Sequence, residues 1–476
     1  MSSYVQYQDM RSTLPAEGSF KTLPGKEGLT PDKNVSIVVL DDDPTGTQTV
    51  HGVPVITEWT TEAIANEFAA ATPLFFILTN SRSLKEVDAV KLASLIGLNI
   101  KEAGIKTGRE YRVISRSDST LRGHYPSEVD SLEATLYAKD VTQVLIPAFF
   151  EGGRYTLDGI HYVHEKDDLV PVAETPFAAD AVFGFKNSRI ADWVKEKSGE
   201  KKSSHSIVEI SLRQIRTGGV EAVLEILLNL KSHSILIVDA FSYSDLEIVS
   251  RAFRLAEHQG KVFLYRTGAS FVRSYAGMGV RGALNPIELK RASKYGGLIV
   301  VGSYVPRTTA QLRYLRNMVD FPAFELKLTP GLDPKDLRAQ ARQIIQEAES
   351  SLREGMDVII YTSRSVVMQE QAESNLDFGN LVSQMLVDIV SEIHVKPRFL
   401  IAKGGITSSD IATKALGVKR AIVLGQLLPG VPVWNLGPES RFPGMPYFIF
   451  PGNVGGDGAL YEAYRKLSGG ETSWPS

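Results

Sequence analysis

The feature that most limits the fold is a recurrent alternation of short apolar runs with helical patterns. Val35-Ser-Ile-Val-Val-Leu40 is such a run, of the kind that forms a strand buried on both faces. Comparable runs recur at Leu74–Leu78, Tyr111–Ser115, Gln143–Ile146, Ile235–Val238 and Val262–Tyr265. Helical patterns separate several of them. Ser83-Leu-Lys-Glu86 has capping-box spacing ahead of an amphipathic stretch reaching Ala103, and Ser244-Asp-Leu-Glu247 repeats the device. Pro126 stands where a helix takes a proline in its first turn, before Ser127–Ala138. Strands that alternate with helices require right-handed crossovers and a largely parallel sheet.

A second cycle begins near Gly296. The runs Leu298–Val301, Val358–Tyr361, Phe399–Ala402 and Ala421–Leu424 alternate with helical stretches at Thr308–Asn317, Lys335–Arg353, Leu381–Ile393 and Ser409–Leu416. Between the cycles, Met278–Tyr295 has no strong apolar run and marks a boundary. The expected organisation is an extension over residues 1–34, an α/β domain over 35–280 and a second α/β domain over 281–476. The extension, polar and punctuated by Pro15, Pro24, Gly25, Gly28 and Pro31, is expected to lie on the surface. The stretch 152–204, rich in Gly, Pro and charge, reads as an irregular insertion or lid, or else as plain surface loop.

Composition narrows the function classes. The 52 Lys+Arg against 55 Asp+Glu leave a net charge of -3, which offers no bulk attraction to nucleic acid or anionic membrane. With no cysteine in the 476 residues, disulfides, thiolate catalysis and cysteine-ligated metal centres are excluded. The first residues carry no apolar stretch of the signal-peptide kind, and the expected location is the cytoplasm.

Ligands of parallel α/β sheets bind outside the carboxyl ends of the strands, so the loops there deserve the closest reading. Asp41-Asp42-Asp43-Pro44-Thr45-Gly46 follows the first run directly. Three adjacent carboxylates repel one another and need donors, a cation or a substrate hydroxyl; the other reading is an Asp-Pro-Thr-Gly turn in water. The position after a buried strand favours the first. Thr79-Asn80-Ser81-Arg82 offers a guanidinium fork for a carboxylate or phosphate, or an ordinary surface ion pair. Arg116-Ser117-Asp118-Ser119-Thr120-Leu121-Arg122 collects two guanidiniums, three hydroxyls and a carboxylate, a set suited to a small polyhydroxylated anion. His124, alone, reads as structural.

The C-terminal half has a different signature. Gly302-Ser303, Lys403-Gly404-Gly405-Ile406-Thr407-Ser408 and Pro451-Gly452-Asn453-Val454-Gly455-Gly456-Asp457 each end an apolar run. Glycine turns let backbone N–H groups approach an anion, and helix N-termini add partial positive charge. Lys403 is a candidate to neutralise phosphate, and Thr407 or Ser408 to cap the following helix. No dinucleotide-binding G-x-G-x-x-G, P-loop, nucleophile elbow or H-E-x-x-H motif is present.

Taken together these loops resemble the four-carbon acid sugar kinase family, from about Val35 to Leu467. The family's Asp-Asp-x-Thr-Gly loop reads Asp42-Asp43-Pro44-Thr45-Gly46, and its Asp-Ser-Thr-Leu-Arg-Gly is intact as Asp118 to Gly123. A Gly-Ser motif with downstream Thr and Gln matches Gly302, Ser303, Thr309 and Gln311; Gly-Gly-x-Thr is Gly404 to Thr407; Gly-Asn-x-Gly is Gly452 to Gly455. Asn80, Arg116, the Pro44-Thr-Gly-Thr-Gln48 stretch and Pro451 depart from the family's commoner residues.

The resemblance implies two α/β domains with largely parallel sheets and an active-site cleft between them. It implies ATP-dependent phosphorylation of a terminal hydroxyl on a four-carbon sugar acid such as threonate, erythronate or 3-oxo-tetronate, with Mg2+. Asp42 or Asp43 is the expected base, followed by Asp118 or Asp457. The expected sugar-acid residues are Asp42, Asp43, Arg82, Arg116, Asp118, Ser119, Thr120 and Arg122. Those expected at ATP are Ser303, Lys403, Gly404, Gly405, Thr407, Gly452, Asn453, Val454 and Gly455. The metal ligands stay unassigned, as does self-association. The alternatives are a sensor that binds sugar acid and nucleotide without turnover, and a dehydrogenase or aldolase-type enzyme on the same acids.

Overall fold

A computed structural model describes residues 4–17, 32–137, 141–202, 205–285, 289, 293–328, 333–364 and 372–468. Parts of the expected extension and of the expected boundary at Met278–Tyr295 lie outside these residues. The chain separates into two compact units, one of Met1–Thr49 and Glu58–Val280, the other of Val50–Thr57 and Arg281–Ser476. The short strand Val53–Ile56 thus belongs to the second unit, whereas the sequence reading gave all of 35–280 to the first. Its apolar character announces a strand but not a partner, which is Arg420–Leu428, antiparallel.

The first unit holds a parallel sheet in the order Ile207–Ile210, Ile235–Val238, Thr142–Ile146, Phe263–Thr267, Glu110–Arg116, Val35–Asp41, Leu74–Leu78. All seven residues of Val35–Asp41 are buried, as its β-branched run demands of a central parallel strand. Helices Glu86–Thr107 and Ser127–Leu136 connect consecutive strands. The capping boxes differ from expectation. Glu86–Thr107 starts after Lys85 without a side-chain cap, while Ser242 with Asp245 caps Tyr243–His258, and Ser211 with Gln214 caps Leu212–Leu228.

The stretch expected to be irregular is ordered. Arg154–Leu157, Ile160–Glu165 and Asp168–Pro171 form an antiparallel meander, and Ile190–Ser198 is a helix. Asp158 and Gly159, at φ +50° and +71°, make the two-residue turn of the first hairpin. Part of the N-terminal extension joins this meander. Val5–Gln6 pairs with Leu169 and Asp168, and Tyr7, Met10 and Leu14 pack on the apolar cluster of Tyr155, Tyr162, Leu169 and Phe241.

The second unit's sheet is mixed. Ala323–Leu326, Val358–Thr362, Leu298–Val301, Leu400–Lys403 and Pro446–Phe450 are parallel, and Val431–Leu436, Arg420–Leu428 and Val53–Ile56 continue it antiparallel. Ile299, Val301, Ile359, Ile401, Phe448, Phe450 and Leu460 are among its core residues. Among the described residues no helix is long and apolar enough to cross a membrane.

Candidate functional site

In the first unit the chain leaves Val35–Asp41 for Leu74–Leu78 on one side and then crosses to Glu110–Arg116 on the other. The strands Val35–Asp41 and Glu110–Arg116 therefore flank a topological switch point, where α/β sheets open a crevice. Asp41 is in register with Leu78 and Arg116, so the three polar loops read from the sequence leave the sheet side by side.

Their side chains form one ionic network. Arg116 Nη1 lies 3.0 Å from Asp41 Oδ1 and 3.5 Å from Asp42 Oδ1. Arg82 grips Asp42 with two nitrogens, Nη2 to Oδ1 at 2.5 Å and Nε to Oδ2 at 3.2 Å. It also lies 3.6 Å from Asp43 and 3.8 Å from Asp118. Arg122 Nε donates to Asp118 at 2.8 Å, and the Thr120 hydroxyl donates to the same carboxylate. Burial works against the Asp118 anion, but Arg122 and Arg82 beside it hold its carboxyl well below the usual range.

The three consecutive acids differ. Asp41 is 1% exposed, and the loop closes over it so tightly that a Cβ on Gly46 would lie 2.2 Å from each carboxylate oxygen. Burial raises its pKa to about 7, against the pull of Arg116 and with the help of Asp42 and Asp43. Asp42 is taken up by Arg82. Asp43 is the most exposed, its side chain 19% accessible against 5% for Asp42, and its Oδ1 accepts the Thr45 N–H at 2.8 Å. His124 is structural, with Nε2 at 3.1 Å from the carbonyls of Ser81 and Leu84.

Sequence reasoning missed the residues that the meander and the segment after it bring to this loop. His161 Nε2 lies 2.7 Å from the Ser119 carbonyl, and Asp180 lies 3.4 Å from Arg122 Nη1. Arg122 and Arg154 both lie over the Phe177 ring, at 5.1 and 5.5 Å from its centroid. The Asp158-Gly159 turn between alternating hydrophobic residues was the signal that could have exposed this element.

In the second unit the switch point falls between Leu298–Val301 and Leu400–Lys403, because the chain builds Ala323–Leu326 and Val358–Thr362 on one side before crossing. Val301, Lys403 and Phe450 are in register, which brings the Gly302, Gly404 and Gly452 turns together. Gly404 has φ +121°, and a Cβ there would lie 2.9 Å from that of Ser303. Thr308 Oγ1 donates to the Gly452 carbonyl at 3.0 Å and lies 3.3 Å from Ser303 Oγ. Gln311 Nε2 donates to the carbonyls of Val454 at 2.9 Å and Gly456 at 2.8 Å, and Arg307 to that of Gly455 at 3.0 Å. Asn453, Gly455 and Asp457 are exposed on that loop. Thr309, the motif threonine, instead bonds its own helix at the Val305 carbonyl.

Two expectations change here. Lys403 is fully buried and its Nζ donates to the carbonyl of Pro451 at 2.6 Å; burial lowers its pKa to about 6, with Arg307 adding to the effect. Its amine braces the Pro451 turn from within the fold. Neither Thr407 nor Ser408 caps the helix Gly405–Asp410; Gly404 is the capping residue, and Ser408 bonds the carbonyls of Ala402 and Gly404. The helix opens with Gly405, half-exposed, and Ile406, 55% exposed, so its first N–H groups, which have no intrahelical acceptor, stand near solvent. This donor set suits an anion held by backbone amides.

The comparisons distinguish the two halves of the chain. A family model described as a sugar-binding N-terminal domain matches residues 37–275, and one described as a nucleotide-binding C-terminal domain matches residues 298–460. No curated protein matches the chain. Among solved structures, a protein of Salmonella typhimurium LT2, described provisionally as a tRNA synthase, is similar at TM-score 0.65 and 18% identity, over 90% of this chain and 99% of that one. Haemophilus influenzae protein HI1011, of the DUF1537 family, is similar at TM-score 0.61 and 17% identity, over 90% and 100%. At such identities the structures speak for the fold alone. The two domain matches decide the family: with its sugar-binding and nucleotide-binding domains in that order, the chain belongs to the four-carbon acid sugar kinase family.

Proposed function

We propose that the protein is an ATP-dependent kinase that phosphorylates a terminal hydroxyl of a four-carbon sugar acid of the threonate, erythronate or 3-oxo-tetronate type. The observation that supports it best is the pairing of two chemically different loop clusters, each at a switch point of its own sheet. One is rich in carboxylates and guanidiniums, the other in glycine turns and the first amides of a short helix. Phosphoryl transfer asks mainly for positioning and charge neutralisation.

Asp43, the exposed member of the acid loop, accepts the proton of the attacking hydroxyl. Asp42 is held by Arg82 and keeps that loop in place. Asp118, Ser119, Thr120 and Arg122 border the sugar acid, and Arg116, buried against Asp41 and Asp42, steadies the acid loop behind them. The turns at Ser303, Gly404-Gly405, Thr407 and Gly452-Asn453-Val454-Gly455 hold the polyphosphate through backbone amides. ATP, bound with Mg2+, supplies the phosphoryl group and leaves as ADP. Among the described residues no three acidic or histidine side chains are arranged to hold a metal, and Mg2+ bound with a nucleotide needs no more than one or two carboxylates beside phosphate oxygens. A chain without cysteines suits a reducing cytoplasm.

An ADP-release assay with Mg-ATP over the threonates, erythronates and 3-oxo-tetronates tests the proposal. Acid-dependent ADP is the expected result, and its absence with every acid overturns it.

A further inference from the structure

The arginines of the first unit are not equivalent. Arg116 has Asp41 and Asp42, Arg82 has Asp42, and Arg122 has Asp118 and Asp180. Arg154 has no such partner. Its Nη1 bonds the Gly152 carbonyl, its Nε is buried without a hydrogen bond, and no carboxylate among the described residues pairs with it. Asp118 and Glu165 act on it from beyond ion-pair distance, but burial outweighs them and holds its pKa below the ordinary guanidinium value. Desolvating a guanidinium without a paired carboxylate is costly, and a ligand carboxylate seated on the fork offsets that cost. The planar fork matches a carboxylate better than any other side-chain cation does.

Its neighbours indicate what the ligand is. Arg154 and Arg122 lie over one Phe177 ring, so two guanidiniums converge on a single apolar wall. Asp118 and Asp180 are both taken up by Arg122, so the fork of Arg154 beside it is the one left for a further anion. The meander carrying Arg154 is fixed to the Asp118–Arg122 loop by His161 on the Ser119 carbonyl. Burial lowers the pKa of His161 to about 4, so that contact adds no further charge at neutral pH.

We propose that Arg154, together with Arg122, binds the carboxylate of the substrate, and that the antiparallel meander is the element that selects an acid over a neutral polyol. This rests on the sugar-acid reading above. A merely structural Arg154 would brace the Gly152-Gly153 turn and affect acids and polyols alike.

The test uses the full-length protein and isothermal calorimetry without ATP. The probes are D- and L-threonate, D- and L-erythronate, and the neutral tetritols threitol and erythritol. Wild type is expected to bind at least one acid, and Arg154→Gln to bind it about tenfold to a hundredfold more weakly, the loss typical of one charged hydrogen-bonding partner. Tetritol affinity and melting temperature should stay put. Wild type that binds none of the acids, an unchanged acid affinity in Arg154→Gln, or an equal loss for acids and tetritols overturns the proposal. If Arg154→Gln does not fold, Arg154→Lys decides: it keeps the charge without the fork, and acid affinity equal to wild type overturns the assignment. ADP release measured on the same proteins separates this inference from the kinase reading. Arg154-dependent acid binding without ADP release removes the kinase and leaves the anion site; ADP release with an unchanged acid KM in Arg154→Gln does the reverse.

Discussion

The Lys403 amine donates to the carbonyl of Pro451 at 2.6 Å, at the base of the turn that carries Gly452 and Asn453. Burial lowers its pKa from 10.5 to about 6. Between those values the unfolded chain holds a proton that the folded chain does not, so this residue makes stability rise with pH across that window. Lys403→Met abolishes the effect. The stability advantage of wild type over the variant, read from urea midpoints, should therefore be larger at pH 9 than at pH 6.5. The same advantage at both values would contradict the burial of a titrating amine.

Asp42 and Asp43 should separate by phenotype. Asp43→Asn removes the proposed base and is expected to lower kcat by about 100- to 10,000-fold with the protein stable and ATP binding intact. Asp42→Asn leaves Arg82 without its bidentate partner, and breaking such a buried pair costs about 3–5 kcal/mol. Calorimetric melting of both variants, beside their kinetics, checks the division. Retention by Asp43→Asn of more than about a tenth of wild-type kcat moves the base elsewhere.

Gly404→Ala should damage the nucleotide side selectively. Its φ of +121° is a glycine conformation, and the added Cβ would meet that of Ser303 at 2.9 Å. Strain of this kind costs about 1–3 kcal/mol. The expected readout is an ATP Kd raised about tenfold or more, with sugar-acid affinity unchanged. Loss of both would point to global unfolding.

Val53–Ile56 pairs with Arg420–Leu428 inside the second unit. A fragment of residues 281–476 therefore exposes the edge of that strand and is expected to aggregate. Fusing residues 50–57 to it should cover that edge, lowering aggregation and raising the melting temperature, as light scattering and thermal denaturation would show. A soluble fragment without the fusion would contradict this role.

Much of this fold was legible because buried parallel strands write themselves as unbroken apolar runs. Ile235–Val238 and Leu298–Val301 match their observed strands end to end. The meander was illegible for the opposite reason. Its strands of four to six residues mix Tyr, His and Arg with apolar residues, and glycines beside them look like loop composition. The placement of Val53–Ile56 is a matter of long-range pairing, which no local pattern encodes.

The site was legible at the level of loops and less so at the level of atoms. Asp118, Thr120 and Arg122 do come together, as a cluster of donors and acceptors at a strand end suggests. That Asp42 and Arg82 neutralise each other depends on register between strands, and that Lys403 turns inward depends on carbonyls 48 residues away. Arg154 drew no notice because nothing local distinguishes an arginine that lacks an acid from one that has it.

The central claim is tested most directly by 31P nuclear magnetic resonance of wild-type protein with Mg-ATP and the four-carbon acids. The account expects ADP to appear in step with a new phosphomonoester signal, split by two protons because the phosphate sits on a terminal carbon, and only when an acid substrate is present. ATP that stays intact with every acid, or ADP accompanied by inorganic phosphate alone, would contradict it.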